Sequence, residues 1–344
     1  MADPTLTAAQ SAVRLDVADP GMVLVAQQHT RRVAALAGLD RAGVDDAALV
    51  AAELAGNAQR HGRGGELVVQ PCPDGAAVDV VALDRGPGVE DWGRSLADGY
   101  STTAGSLGAG LGSVARVATR LDGLSEADRG TVVSARIGAR ADSALVGALG
   151  SPRRGEQVNG DAWAWSVDDD GVFAILADGL GHGPAAAAAS ALAVADVAEL
   201  AALELPDAVL RVHGRLRGTR GAAVTVVRLR RTADGGHELL VAGVGNVTAA
   251  VVAPDGGTRR SLVGHGTAGL AVRTPRQTAA PVPEGGAVVL HTDGLLTSWD
   301  LRGRGRVVAA APAVLAAVLL RDHERGSDDI GVVVLRPTGT GTGA

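Results

Sequence analysis

Gly171-Val172-Phe173-Ala174-Ile175-Leu176-Ala177-Asp178-Gly179-Leu180-Gly181-His182-Gly183-Pro184 joins an apolar run to a carboxylate and a glycine-rich turn. An unbroken apolar run of this length, closed by turn residues, reads as a buried strand. A carboxylate is costly inside a core but suits a strand end, where hard cations collect oxygen ligands. The same signature recurs at Gly160-Asp161, at Asp293-Gly294 behind Ala287-Val288-Val289-Leu290, and at Asp328-Asp329 ahead of Ile330. One such aspartate alone reads as a turn former. Several, brought together by one sheet, predict a site for two divalent metals.

Composition sets the frame. A chain of 344 residues, 46% apolar, has room for two cores, although with 2% aromatics these must be packed from Ala, Val and Leu. The net charge of −6 excludes the basic face that nucleic-acid binding needs. Cys72, the single cysteine, excludes an internal disulfide and fits a reducing compartment. No stretch reads as a membrane span, since the most apolar helical candidate, Ala185 to Leu203, carries Asp196 and Glu199. Met1-Ala2-Asp3-Pro4 has no signal-peptide pattern, so a cytoplasmic location is expected.

Periodicity organises the rest. Residues 1–12 and the Gly/Thr-rich tail 338–344 are expected to be disordered. A first domain is expected over 13–138. It comprises a strand at Val13–Val17, helices over Pro20–Ala37 and Val44–His61, strands at Glu66–Gln70 and Ala77–Leu83, a helix from Leu111 to Leu121 and a last strand at Thr131–Ile137. This order of helices and antiparallel strands predicts a two-layer α/β sandwich. Residues 139–154, small, basic and proline-containing, read as a linker. The second domain, 155–337, is richer in strands, with helices over Pro184–Ala202, Pro206–Arg217 and Pro312–Arg321. Two sheets with helices outside are expected there.

Three weak signals in the first domain gain force from their order. Glu53 and Asn57 stand four apart on one helix face and suit a magnesium–water site. Asp84-Arg85-Gly86-Pro87-Gly88 follows a buried strand, with Asp84 able to accept a bond from an adenine amine. Gly105-Ser106-Leu107-Gly108-Ala109-Gly110-Leu111-Gly112 leads into a helix start, where free amides bind phosphate. With Glu53-Leu54-Ala55-Gly56-Asn57 and Gly130-Thr131, these motifs resemble the histidine-kinase-like ATPase fold, specifically the anti-sigma-factor serine kinases of the RsbW/RsbT type. The resemblance implies ATP with Mg2+ as cofactor. Asn57 would hold the magnesium, and Asp84, Gly86 and Gly88 would shape the adenine pocket. Gly108, Gly110 and Gly112 would border the triphosphate, with Glu53 as general base on a protein hydroxyl. Arg60 and His61 read equally as phosphate contacts or as surface charge and helix-end residues.

The second domain resembles the metal-dependent serine/threonine phosphatases of the PPM superfamily, in the SpoIIE/RsbX-like branch. The resemblance rests on Gly155-Glu156-Gln157-Val158-Asn159-Gly160-Asp161, Asp178 to Pro184, Gly243-Val244-Gly245-Asn246, Thr292-Asp293-Gly294 and Asp328-Asp329-Ile330. It implies an α-β-β-α sandwich and two Mn2+ or Mg2+ ions. The ligands would be Asp161, Asp178, the Gly179 carbonyl, Asp293 and Asp328, with Asp178 bridging the ions. Such ions would supply a hydroxide for attack on phosphoserine or phosphothreonine. Asp328 is favoured over Asp329 by motif register alone. His182 reads either as a phosphate or water contact or as a structural loop residue. The family's early phosphate-binding arginine has no clear counterpart, since linker charge explains Arg153 and Arg154 equally well. Phosphate affinity is thus expected to rest on the metals.

Together the resemblances imply an α/β (α+β) protein that regulates sigma-factor partner switching with a kinase part and a phosphatase part. Its expected partner is a phosphorylated STAS-domain anti-sigma antagonist, with an anti-sigma or sigma factor as a further partner and a homodimer as a further expectation. Nucleic acid and membrane are not expected partners. The alternative is a phosphatase whose first domain only binds nucleotide or a partner.

Overall fold

The computed structural model describes residues 11–73, 75–89, 110–139 and 145–337, which fall into two units, 11–139 and 145–337. Gly108 with most of its glycine-rich loop, residues 1–10 and the tail 338–344 lie outside the described residues.

The first unit contains β1 (Val13–Asp16), α1 (Met22–Leu36), α2 (Arg41–His61), β2 (Gly65–Pro71), β3 (Ala77–Asp84), α3 (Gly110–Val117), β4 (Arg120–Glu126) and β5 (Gly130–Gly138). Its strands form one antiparallel sheet in the order β1-β2-β3-β5-β4. Asp40 starts α2 by accepting the Gly43 amide at 2.8 Å. Along α2, Ala47, Val50, Ala51, Leu54, Ala55 and Ala58 recur at helical spacing. They bury one face against Leu67, Val69, Val78, Val80 and Ile137 of the sheet. The helix expected to reach Leu121 stops at Val117. The Thr119 amide bonds to the Arg136 carbonyl and draws the chain into edge strand β4. The glycine-interrupted sequence of β4 lacks two-residue alternation, so it gave no strand signal.

The second unit begins with β6 (Val146–Ser151), β7 (Asp161–Asp168), β8 (Gly171–Gly179), α4 (Pro184–Val194), α5 (Val197–Ala201) and α6 (Leu205–Arg215). It continues through β9 (Ala222–Arg231), β10 (His237–Val244), β11 (Thr248–Val252), β12 (Thr258–Ser261), the short pair β13 (Gly266–Thr267) and β14 (Ala271–Val272), and β15 (Thr278–Val282). β16 (Ala287–His291), α7 (Gly305–Ala309), α8 (Pro312–His323) and β17 (Ile330–Leu335) complete it. Two five-stranded sheets, β15-β10-β9-β8-β7 and β12-β11-β16-β17-β6, face each other.

Strand β8 shows why its sequence is apolar throughout. Val172, Ala174 and Leu176 point between the sheets with Trp163, Leu290 and Val333, whereas Phe173, Ile175 and Ala177 point at the helix layer with Leu200, Val209 and Val212. Burying Phe173 alone contributes roughly 2–3 kcal/mol relative to exposure. On the far side, α8 packs on β6 and β17, giving the expected α-β-β-α layers.

Two expectations give way. Val146–Ser151, inside the stretch read as linker, is strand β6, paired residue for residue with β17. Its small residues, Gly147 and Gly150 among them, are needed by packing: a Cβ at Gly150 would lie 2.5 Å from the Trp163 ring. The single helix expected over Pro184–Ala202 is broken at Ala195 and Asp196, where Asp196 takes φ 49°. Alanine supports helix at every position, so the run gives no sign of the break.

Candidate metal and nucleotide sites

Sheet register assembles the aspartates. Asp161 opens β7 and Asp178 lies directly opposite it near the end of β8. Both share the inter-sheet parity of Trp163 and Leu176, so their side chains emerge on one face. Asp161 is 1% exposed. Its Oδ2 accepts the Thr292 hydroxyl at 2.7 Å, while Thr292 Oγ1 accepts the Gly331 amide at 2.9 Å. Thr292 therefore ties β7 to the end of β16 and the start of β17, bringing Asp293 beside the first pair. Asn246 Nδ2 donates to Asp293 Oδ2 at 2.8 Å. Behind them the buried His291 accepts from Trp299 Nε1 at 3.1 Å and turns Nδ1 to the Thr292 carbonyl at 2.8 Å. Burial pushes the His291 pKa down to about 4, so the ring is neutral at pH 7.

The carboxylates feel one another. Burial, followed by the charge of Asp178, raises the Asp161 pKa well above its ordinary value. Burial, followed by Asp293, Asp328 and Asp329, pushes Asp178 from 3.8 to about 7. Burial and Asp328 also raise Asp293. Asp161 Oδ1 is buried with no hydrogen-bond partner. An orphaned buried carboxylate oxygen amid other carboxylates is costly, and it fits an all-oxygen cation site. Among the described residues, however, no three His, Cys, Asp or Glu side chains converge as a metal-holding group.

Asp328 and Asp329 have different surroundings. β17 begins at Ile330, so strand alternation does not decide between them. Asp329 is buried, its Oδ1 accepting the Arg153 amide at 2.7 Å, its Oδ2 without a hydrogen-bond partner, and its charge acts on Asp161 and Asp178. A Cβ at Gly160 would stand 2.5 Å from Asp329 Oδ2, so only glycine fits there. The charge of Asp328 acts on Asp178, ahead of that of Asp329, and on Asp293, and its Oδ1 accepts the Asp329 amide at 3.0 Å. Gly179 ends β8, its amide bonded to the Gly160 carbonyl at 3.2 Å. His182 is half-exposed, and its Nδ1 lies 2.8 Å from Glu156 Oε1.

In the first unit, Glu53 and Asn57 occupy one face of α2, and the start of α3 lies against them. A Cβ at Gly110 would come within 2.9 Å of Glu53 Oε2 and 3.8 Å of Asn57 Nδ2. Gly112 is buried one turn into α3. Asp84 ends β3, and its Oδ1 accepts the amides of Gly86 at 2.8 Å and Thr131 at 3.0 Å. Gly88 has φ 79°, and a Cβ there would be 2.7 Å from the Glu126 carbonyl. Ser125 Oγ holds the Val89 amide at 2.7 Å and meets Thr131 Oγ1 at 3.0 Å. Arg60 Nη2 reaches Asn57 Oδ1 at 3.3 Å, and His61 closes α2 on the surface. Sequence reasoning missed Thr292, Gly331 and Ser125. Their only signal is adjacency to a strand end, which many surface hydroxyls and glycines share.

The family model described as stage II sporulation protein E (SpoIIE) matches residues 168–338. The serine/threonine-protein kinase RsbT of Bacillus subtilis (strain 168) is 33% identical over 117 residues, which is 33% of this chain and 86% of RsbT. The chain belongs to the RsbT family in its N-terminal region, and the SpoIIE match follows it. Among solved structures, a chain of the bacterial stressosome, described as a modular system adapted to control secondary messenger signaling, is 28% identical with a TM-score of 0.50. That match covers 56% of this chain and 98% of that one. RsbX in complex with magnesium is 20% identical with a TM-score of 0.46, over 56% of this chain and 96% of RsbX. The SpoIIE match takes in Asp178, Asp293 and Asp328, whereas Asp161 lies ahead of it. Asp161 is set opposite Asp178 by strand register. Among the described residues, no helix is long and apolar enough to cross a membrane.

Proposed function

We propose that the chain is a bifunctional regulator of sigma-factor partner switching, in which the SpoIIE-type domain is a metal-dependent phosphoserine/phosphothreonine protein phosphatase. The observation that carries this reading is the pairing of Asp161 with Asp178, anchored through Thr292 to the segment bearing Asp293. Asp161, Asp178, the Gly179 carbonyl, Asp293 and Asp328 would hold two Mn2+ or Mg2+ ions. Hard divalent ions suit such a donor set. Bound there, they would supply charge neutralisation and a water acidified towards neutral pH. The protein's own work is to bury Asp161, to hold it with the Thr292 hydroxyl, and to fix Asp293 with Asn246.

The RsbT-type region is proposed to bind ATP with Mg2+ and to phosphorylate a serine or threonine. Asn57 holds the magnesium, Asp84 with Gly86 and Gly88 takes the adenine, and Gly108, Gly110 and Gly112 border the phosphates. Glu53 is the general base. The contact of Gly110 with Glu53 and Asn57 supports this, because it sets a helix start beside the base. The proposed partner is a STAS-domain anti-sigma antagonist, phosphorylated by one part and dephosphorylated by the other or by related proteins. Domain limits near 13–138 and 155–337, the latter extended back to include β6, go with this reading.

The test uses the full chain and a STAS-domain protein. Labelled ATP with magnesium should place phosphate on the protein, and Glu53→Gln should abolish the transfer. Manganese should drive phosphate release from the phosphorylated form, and Asp178→Asn should stop it. Nucleotide binding without transfer would reduce the first region to a regulatory module. Absence of manganese-dependent release would remove the phosphatase.

A further inference from the structure

Arg220 stands beside the loop that follows Asp178, yet it takes no part in the contacts that build the aspartate site. It precedes β9 in the turn Thr219-Arg220-Gly221. The Gly221 amide bonds Thr219 Oγ1 at 3.0 Å, and the Gly221 carbonyl accepts the Leu180 amide at 3.0 Å. The first bond closes the turn, and the second ties it to the glycine-rich loop after Asp178. The guanidinium then reaches over that loop. A Cβ at Gly181 would lie 3.0 Å from Arg220 Nη1, the one atom it would meet within 4 Å. Gly181 also has φ 90°, so glycine serves both the turn and the room above it.

Arg220 is exposed, and among the described residues it forms no ion pair. Arg217 is likewise exposed and without an ion pair among the described residues, whereas other arginines of this unit are paired. Arg211 and Arg215 pair with Glu199, Arg228 with Asp168, and Arg230 with Glu238. Within the aspartate cluster the arginine charge that acts is that of Arg325, on Asp293. An unpaired guanidinium held over the loop that follows Asp178 is placed to meet an incoming anion. Its planar fork matches two phosphate oxygens, which a lysine ammonium cannot do.

We propose that Arg220 binds the phosphate of the incoming phosphoserine or phosphothreonine peptide. This rests on the phosphatase reading, and it replaces the expectation that phosphate affinity comes from the metals alone. The arginine comes from the turn before β9, well away from the first motif.

The experiment measures manganese-dependent hydrolysis of a phosphoserine peptide by the full chain, with inorganic phosphate as competitive inhibitor. The phosphate charge is present before and during the reaction, so its loss of contact should act mainly on binding. Arg220→Ala should raise KM about tenfold, with kcat within about twofold, and raise the inhibition constant of phosphate by a similar factor. Arg220→Lys should fall between the two. Arg217→Ala, also exposed and three residues away, should change KM less than about twofold, separating a specific contact from general surface charge. An active wild type with KM and phosphate inhibition unchanged in Arg220→Ala overturns the inference and leaves the phosphatase reading standing. An inactive wild type overturns both.

Discussion

At Thr292 a single hydroxyl serves two buried groups, donating to Asp161 and accepting from Gly331. Thr292→Val keeps the shape and deletes both bonds. Asp161 already has one orphaned oxygen, so the variant would leave it wholly unsatisfied and strand the Gly331 amide as well. A loss of about 2 kcal/mol is expected in urea unfolding of the metal-free protein. Asp178 gives a second prediction. Its pKa stands at about 7 against an ordinary 3.8, so between those values the metal-free native state keeps a proton that the unfolded chain releases. Excess native protonation means that stability falls as pH rises through this window. Asp178→Asn, measured in chelator, should flatten that part of the pH profile; a profile unaltered by the substitution would show the shift is absent. Cations bind the deprotonated form, so manganese affinity should rise with pH across the same range.

Element by element, β6 is where sequence and structure part most clearly. Read as a chain, residues 139–154 look like a linker, because glycine, proline and arginine punctuate them. In the fold, Val146, Ala148 and Leu149 are buried and all six residues of β6 pair with β17. A fragment beginning at Ser143, the start of the second unit, should fold. One beginning at Gly155 loses an edge strand and the cover of Trp163, and should be unfolded or aggregated by circular dichroism and gel filtration. Strands β8, β9, β16 and β17 were legible because both of their faces are buried, which makes them continuous apolar runs. β4, β12 and the β13–β14 pair were not, since short or half-exposed strands carry too few apolar residues to show a period. The aspartates were legible as strand ends. Their partners Thr292 and Gly331, and the turn that presents Arg220, become visible only when register and loops are in place.

For the whole molecule, two motif sets lie in separate units, and each unit supplies its own core and its own candidate site. The proposed function turns on the second unit, where carboxylates far apart in the chain would form one cation site around Asp161 and Asp178. Calorimetric titration of the nucleotide-free full chain with manganese tests this most directly. Two ions per chain are predicted, with Asp178→Asn losing at least one of them while remaining folded. No manganese binding, or binding that Asp178→Asn leaves intact, would contradict it.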